Sequence, residues 1–189
     1  MNKAENVSVG KPKATGAAYV APKGTVVPTD AASPLDAAFE SLGYISDAGL
    51  TNATSSDTEE IKAWGGDTVL TTQTSYSETF AFSCLETNIA VLKERYGEEN
   101  VEVDGASITV KHSSVELLMH PWVFEMVLSG GRIKRVVIPN GKVTEFGDIQ
   151  YVDNAPIAYE MTISALPDEE GNTAYTHIGE TGFIRTGSE

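Results

Sequence analysis

The chain has 189 residues, a hydrophobic fraction of 41% and a formal net charge of −14 at pH 7. This length allows one domain with a sizeable core but is short for two, and no apolar run of about 18 residues is present to span a bilayer. The acidic balance disfavours a groove that binds nucleic acid tightly, because such a groove needs many Lys and Arg side chains to neutralise phosphates.

The start of the chain differs in charge from the rest. Residues 1–15 are polar and lack hydrophobic periodicity, which predicts a flexible N-terminal arm. No apolar stretch follows the first lysines, so this segment does not resemble a secretory signal and we expect synthesis in the cytoplasm. Four lysines make this end basic: Lys3, Lys11, Lys13 and Lys23.

The first part of the body predicts a strand, a long loop and a short helix. Residues 17–21 form an apolar run typical of a strand, and residues 22–33 are rich in Pro, Gly and Thr, which indicates a connection that is long for a compact domain. The order Ser-Pro-Leu-Asp at residues 33–36 is typical of a helix start, and Gly43 can end that helix.

A second helix is indicated more clearly over residues 89–96. Thr87 or Asn88 can cap its start, apolar side chains follow at helical spacing, and Gly97 can end it. Such an amphipathic helix should pack on a sheet.

Most of the remaining chain has strand character. Residues 157–165 alternate between apolar and polar side chains, as in a strand with one buried face. Two hairpins are predicted, one with strands at 58–64 and 67–72 and the other with strands at 122–128 and 132–138. Further strands are predicted at 76–85, 107–112, 142–152 and 173–178, separated by turn signals that include Asp104-Gly105, Asn140-Gly141 and Glu170-Gly171-Asn172.

These elements predict a mainly β protein. We expect a β-sandwich or partly closed barrel with one flanking α-helix over residues 16–178, followed by a flexible C-terminal tail at residues 179–189.

Catalytic and metal-binding patterns are weak. The three histidines, His112, His120 and His177, lack metal-ligand spacing, and no nucleophile elbow, phosphate-binding loop or dinucleotide fingerprint is present. Cys84 alternates with phenylalanines and is interpreted as a buried small hydrophobe. We therefore expect no catalytic residue, no cofactor and no metal, and a protein that is not an enzyme.

The sequence Trp64-Gly65-Gly66-Asp67 lies at the tip of the first predicted hairpin and has two interpretations. A large aromatic side chain at a hairpin tip is a good anchor for a partner. Alternatively, the glycines supply positive φ for a tight turn while Trp64 packs on its own core.

A basic cluster, Arg132, Lys134 and Arg135, follows the turn of the second hairpin. The first two share one face of their strand and Arg135 points to the other. Two roles fit equally: binding to acidic patches on a neighbouring subunit, or protection of an exposed strand edge by charge.

Four sequence segments, distributed over much of the chain, resemble segments of a known protein family. They are LDAAFESLGYIS at 35–46, DAGL at 47–50, EEIKAWGGDTVL at 59–70 and VVIPNGKVTEFGD at 136–148. In this order they resemble the tail tube proteins, or major tail proteins, of long-tailed phages that infect Gram-positive bacteria.

The resemblance implies a structural virion protein. In that family β-sandwich subunits form hexameric rings that stack into a tube, through which the genomic DNA leaves the capsid without tight binding. It further implies an inner barrel with an acidic lumen, an N-terminal arm and a long loop that bridge successive rings, and tape-measure, tail-tip and terminator proteins as partners. The arm lysines, residues 64–67 and the basic cluster are then inter-subunit candidates, and Glu78, Glu125 and Glu160 are lumen candidates.

Two alternatives remain at this point. A β-sandwich module that recognises carbohydrate or a host surface would also explain the strands, although the aromatic content of 8% slightly disfavours sugar stacking. An enzyme with a carboxylate pair assembled by the fold would need a deep pocket with perturbed pKa values. A phage-derived injection tube would share the assembly of a tail tube.

Overall fold

The computed structural model describes residues 7–13 and 16–180, and β-strands dominate it. The strands in this part of the chain are β1 (Lys11–Pro12), β2 (Ala18–Val20), β3 (Glu40–Ser41), β4 (Thr51–Lys62), β5 (Thr68–Cys84), β6 (Val101–Asp104), β7 (Ser107–Val110), β8 (His120–Val127), β9 (Arg132–Phe146), β10 (Tyr159–Leu166) and β11 (Tyr175–Glu180). One α-helix, α1 (Ile89–Tyr96), follows β5, and a 3₁₀ turn (Glu98–Asn100) follows the helix. The predicted mainly β fold with one flanking helix is confirmed.

One antiparallel sheet contains most of the strands. Its order is β3-β2-β8-β9-β10-β5-β4, with β1 also paired to β8 and β11 also paired to β9. Strand β9 connects the two halves: its first part lies between β8 and β11, and its last part pairs with β10. Strands β6 and β7 form a separate hairpin.

Aromatic contacts show that the sheet folds back on itself. The Phe82 ring of β5 packs edge-on against Trp122 at 5.9 Å and against Phe124 at 5.1 Å between ring centroids. Both partners belong to β8, which is not a hydrogen-bonded neighbour of β5. Two layers therefore face each other across one core, as in a β-sandwich, and the sheet does not close into a barrel.

Helix α1 begins and ends as predicted. The side-chain oxygen of Asn88 accepts a hydrogen bond from the backbone N–H of Val91 at 2.9 Å, which caps the first turn. Gly97 has φ of 93° and donates its backbone N–H to the carbonyl of Lys93 at 2.8 Å. The buried face of the helix packs against the common core.

The shorter helix predicted to start at residues 33–36 is wrong. The Asp36 carboxylate instead accepts the N–H of Ala38 at 2.9 Å, and the Asp36 carbonyl accepts the N–H of Phe39, so one turn forms and does not continue. The chain then enters β3, and Leu42 donates its N–H to the carbonyl of Ala18. Tertiary pairing with β2 therefore overrides the helical pattern.

The turn predicted at Asn140-Gly141 is also wrong, because both residues lie inside β9. A Cβ on Gly141 would lie 2.4 Å from Cδ1 of Trp122 and 2.8 Å from Cγ2 of Ile163. The indole Nε1–H of Trp122 also donates to the Gly141 carbonyl at 3.2 Å. Glycine is present here because a large side chain packs directly on the backbone.

The remaining predicted strands differ mainly in length. Strand β9 ends at Phe146, so the predicted strand at 142–152 is only half formed, and β6 was not predicted. Asp104-Gly105 closes the β6–β7 hairpin as expected. The predicted loop at 22–33 contains no helix or strand. Residues 181–189 of the predicted tail lie outside the described residues.

Candidate assembly surfaces

The β4–β5 hairpin extends far beyond the body of the subunit. All twelve residues of β4 are exposed, and so are the first ten of β5. Strand β10 pairs with β5 only from Glu78 to Cys84. Residues 68–77 lie beyond this pairing, so the hairpin extends roughly 35 Å from Glu78 to Thr68 at about 3.4 Å per residue. Both faces of this part of the hairpin lack a packing partner among the described residues.

The tip of this hairpin is apolar. Trp64 is 106% exposed, so the interpretation in which it packs on its own core is wrong. Gly65 and Gly66 have φ values of 122° and 99°, as expected for the turn. Ile61 and Leu70 lie directly opposite each other and are both about half exposed. The tip therefore exposes one aromatic and two aliphatic side chains to solvent in the single subunit.

The outward face of the sheet next to the hairpin is lined by small polar side chains. Phe80, Phe82 and Cys84 point into the core, so the alternate residues of β5 point outward. The residues that share this outward face on β10, β5 and β4, none of them buried, are Glu160, Thr162, Ser164, Ser83, Ala81, Thr79, Ser77, Thr51, Ala53 and Ser55. Seven of these ten residues are Ser or Thr, so the face is rich in hydroxyl groups.

The three lumen candidates have different environments. Glu160 is exposed on this outward face. Glu78 lies on the opposite face of β5 and accepts hydrogen bonds from Asn52 at 2.9 Å and from Thr173. Glu125 has only 2% of its surface exposed, so it lies in the interior and the prediction that it faces a lumen is wrong.

Glu125 instead forms a buried ion pair with Arg135, which is 1% exposed. The Arg135 Nε–H donates to Glu125 Oε1 at 2.9 Å, and the other guanidinium nitrogens donate to the backbone carbonyls of Asp30 at 2.7 Å and Ser33 at 2.8 Å. Both predicted roles of Arg135, at a neighbouring subunit or at an exposed edge, are therefore wrong: its charge is satisfied inside the protein.

This ion pair holds two extended segments on the sheet. From the N-terminal arm, Lys13 Nζ donates to Glu125 Oε2 at 2.8 Å. Within the loop at 22–33, hydrogen bonds from the Ser33 hydroxyl and from the backbone N–H groups of Ser33 and Ala32 lower the pKa of Asp30 to about 2. The buried pair thus connects both segments to the sheet: Glu125 binds the arm through Lys13, and Arg135 binds the loop through the carbonyls of Asp30 and Ser33.

Sequence reasoning missed this pair although a signal was present. The predicted hairpin turns at residues 129–131, and counting inward from its centre places Glu125 directly opposite Arg135. Opposite charges at paired positions inside two apolar runs indicate a buried ion pair.

The other basic candidates are placed as follows. Arg132 donates to the Ser8 hydroxyl at 3.0 Å. Strand β9 carries β11 on one side and β8 on the other, so the interpretation of an exposed edge around Lys134 is wrong. Lys11 in β1 and Lys23 in the loop are exposed. Lys3 lies outside the described residues.

A cleft of about 350 Å³ opens between α1 and the segment at residues 115–120. Val115, Leu117 and Leu118 supply its apolar wall, and Leu118 is 66% exposed. On its floor Nδ1 of His120 lies 2.8 Å from Oε1 of the buried Glu94. This hydrogen bond raises the pKa of His120 above its ordinary value, although desolvation opposes the shift.

Among residues 7–13 and 16–180, no group of three or more His, Cys, Asp or Glu side chains is arranged to hold a metal ion. No helix in the described chain is long and apolar enough to cross a membrane.

A sandwich that extends an unsupported hairpin with an exposed tryptophan tip has the features of a structural subunit built to associate. The family model described as phage tail tube protein matches residues 4–186, and the chain belongs to that family. It is a phage major tail protein, located in the virion tail and assembled there with other tail proteins. No curated protein matches the sequence.

Proposed function

We propose that this tail protein assembles into hexameric rings that stack into a tube and form a conduit for DNA ejection. The observation that carries the proposal is the β4–β5 hairpin, which is exposed on both faces and ends in an uncovered tryptophan. A two-stranded hairpin without support is marginally stable in water, so this length of hairpin is expected to pack against other subunits. The proposal includes no catalytic role.

The reach of the hairpin supports contact between neighbours. A compact body of about 150 residues has a radius of gyration of about 15 Å and is roughly 40 Å across. The hairpin extends roughly 35 Å at the rise of a β-strand, so its tip can cross about one neighbouring body. The exposed edge of β4 also offers unpaired backbone groups along twelve residues, which ring closure can pair with a strand of the next subunit.

The outward face that carries Glu160 is the surface that best fits a lumen. The small hydroxyl side chains carry no positive charge that would bind DNA phosphates, and the Glu160 carboxylate repels them. With a net charge of −14 the whole subunit adds to this repulsion. DNA is expected to pass without tight binding.

Other parts of the proposal rest on the resemblance alone. They are the tape-measure, tail-tip and terminator partners, synthesis and assembly in the cytoplasm of a Gram-positive host, and bridging between rings by the arm and the 22–33 loop. Lys3, Lys11 and Lys23 are proposed to contact acidic surfaces of the next ring. Because Lys13 already binds Glu125 in its own subunit, it is the least available of the arm lysines.

The test is negative-stain electron microscopy over a protein concentration series, with mass in solution measured in parallel. We expect hollow rings or tubes with six subunits per turn. In a matched variant, residues 57–75 are replaced by Asn-Gly, a two-residue turn that keeps the register between Ser56 and Tyr76. This variant should unfold like the wild type and remain a monomer. Tubes formed by the shortened variant would refute the role given to the hairpin.

Salt provides a separate test of the arm. If its lysines bind acidic surfaces of the next ring, assembly should weaken between low and high salt, because exposed ion pairs are screened. Assembly that is unchanged over this range would contradict the electrostatic part of the proposal and leave the hairpin contact intact.

A further inference from the structure

We propose that Trp64 at the hairpin tip inserts into the cleft between α1 and residues 115–120 of a second copy of this chain. The inference rests on the proposed function, since it names the surface to which the hairpin docks. The occupant is a second copy because the Trp64 side chain is fully exposed in its own subunit and its hairpin leads away from the body.

The size and the wall of the cleft suit one indole ring. A volume of about 350 Å³ is at the lower end for clefts that bind small ligands and leaves room for a single large aromatic group. Val115, Leu117 and Leu118 supply an apolar wall, and the 66% exposure of Leu118 leaves apolar surface uncovered in the free subunit. Tryptophan in such a pocket is a frequent anchor of protein interfaces.

The polar groups are complementary as well. A buried indole needs an acceptor for its Nε1–H, and Glu98, Glu99 and Glu116 lie around the cleft. Lys62, two residues before Trp64, is the only Lys or Arg in residues 51–84. Lys62 therefore lies close to Trp64 in the hairpin, and in the docked state it would face the carboxylates around the cleft.

An acidic residue of the hairpin tip, Asp67, is complementary to a lysine of the cleft, Lys93. Asp67 lies across the turn from Trp64, where its backbone carbonyl accepts the N–H of Ala63 at 2.8 Å. Lys93 on the cleft rim is 31% exposed and binds one carboxylate, Glu98, at 3.0 Å. Its ammonium has further donors to offer to Asp67 of the docked hairpin.

A double-mutant cycle tests the contact in tubes of the full chain. Trp64→Ala and Leu118→Ala should each raise the critical concentration for assembly, the former by about 30-fold as for a hot-spot residue. If the two side chains touch, the double variant should be little worse than Trp64→Ala alone. Leu166→Ala, which removes an exposed leucine from β10, is the control and should combine with Trp64→Ala additively. Additive effects for Leu118→Ala would overturn the inference.

Crosslinking gives an independent readout of proximity. Asp67→Cys combined with Glu116→Cys should be joined between subunits by a short thiol-specific crosslinker in tubes but not in monomers. Asp67→Cys with Glu169→Cys, on the exposed turn before β11, should not be joined. The native Cys84 is fully buried and does not interfere.

The outcomes separate the inference from the proposed function. If the wild-type chain forms no tubes under any condition, the proposed function fails. A second outcome is that tubes form, but Asp67→Cys and Glu116→Cys are not crosslinked and the effects of Trp64→Ala and Leu118→Ala are additive. Docking of Trp64 in the cleft is then wrong, while the role in the tube stands.

Discussion

Removing the buried carboxylate of Glu125 should be one of the most destabilising single changes in the subunit. In Glu125→Ala the guanidinium of Arg135, 1% exposed, keeps two backbone carbonyls but loses its buried carboxylate partner. The carboxylate that remains, on the 52% exposed side chain of Asp30, forms only a long ion pair of 3.7 Å. Leaving one partner of a buried ion pair unpaired costs about 3–5 kcal/mol. For an m value of about 2 kcal/mol/M, the urea midpoint should fall by about 2 M.

Urea unfolding followed by far-UV circular dichroism measures this loss, and two matched variants serve as controls. Glu160→Ala removes an exposed glutamate and should change stability by no more than about 0.5 kcal/mol. Lys13→Ala removes the partly exposed partner of Glu125 and should cost at most about 1 kcal/mol. A midpoint for Glu125→Ala within about 0.3 M of the wild type, at an m value near 2, would refute the reasoning.

Three other positions give shorter tests. Gly141→Ala forces a Cβ against Trp122 and should cost about 1–3 kcal/mol, and thermal unfolding unchanged from the wild type would contradict the close contact. The pKa of His120 is raised by Glu94, so the stability from this pair is fully present below about pH 6.5 and is lost as the pH rises through the raised pKa; His120→Gln should remove this part of the pH dependence of unfolding. Burial raises the pKa of the Cys84 thiol to about 12, so thiol reagents should label it only on unfolding, and rapid labelling of the native protein would contradict that.

Local signals predicted the elements whose stability is local. The helix capped by Asn88 and ended by Gly97 formed as expected, because both termini satisfy their own backbone groups. The start at residues 33–36 carried a similar signal, yet the Asp36 side chain closed a single turn and the chain continued into β3. The choice between a helix and a single turn followed by β3 depends on pairing with β2, which lies more than 15 residues earlier in the chain. A short stretch of sequence does not contain that information.

The surfaces were predicted less completely than the fold. The sequence offered Trp64 as an anchor or as a core residue, and only the position of the hairpin decides between them. Burial reverses the expected roles of Glu125 and Arg135, because a charged side chain in a strand indicates the surface only when no opposite charge is paired with it across the hairpin. The Asn140-Gly141 pair is typical of a turn, and the sequence does not show that Trp122 packs on Gly141 inside a strand.

The placement of β9 has a mechanical consequence for the assembled tail. This one strand is hydrogen-bonded into both layers, so the layers cannot slide or hinge apart without breaking its ladder. The β4–β5 hairpin, by contrast, is a single two-stranded ribbon beyond Glu78. When a tube built from these subunits curves, we expect the bodies to behave as stiff blocks and the ribbons between them to take up the strain.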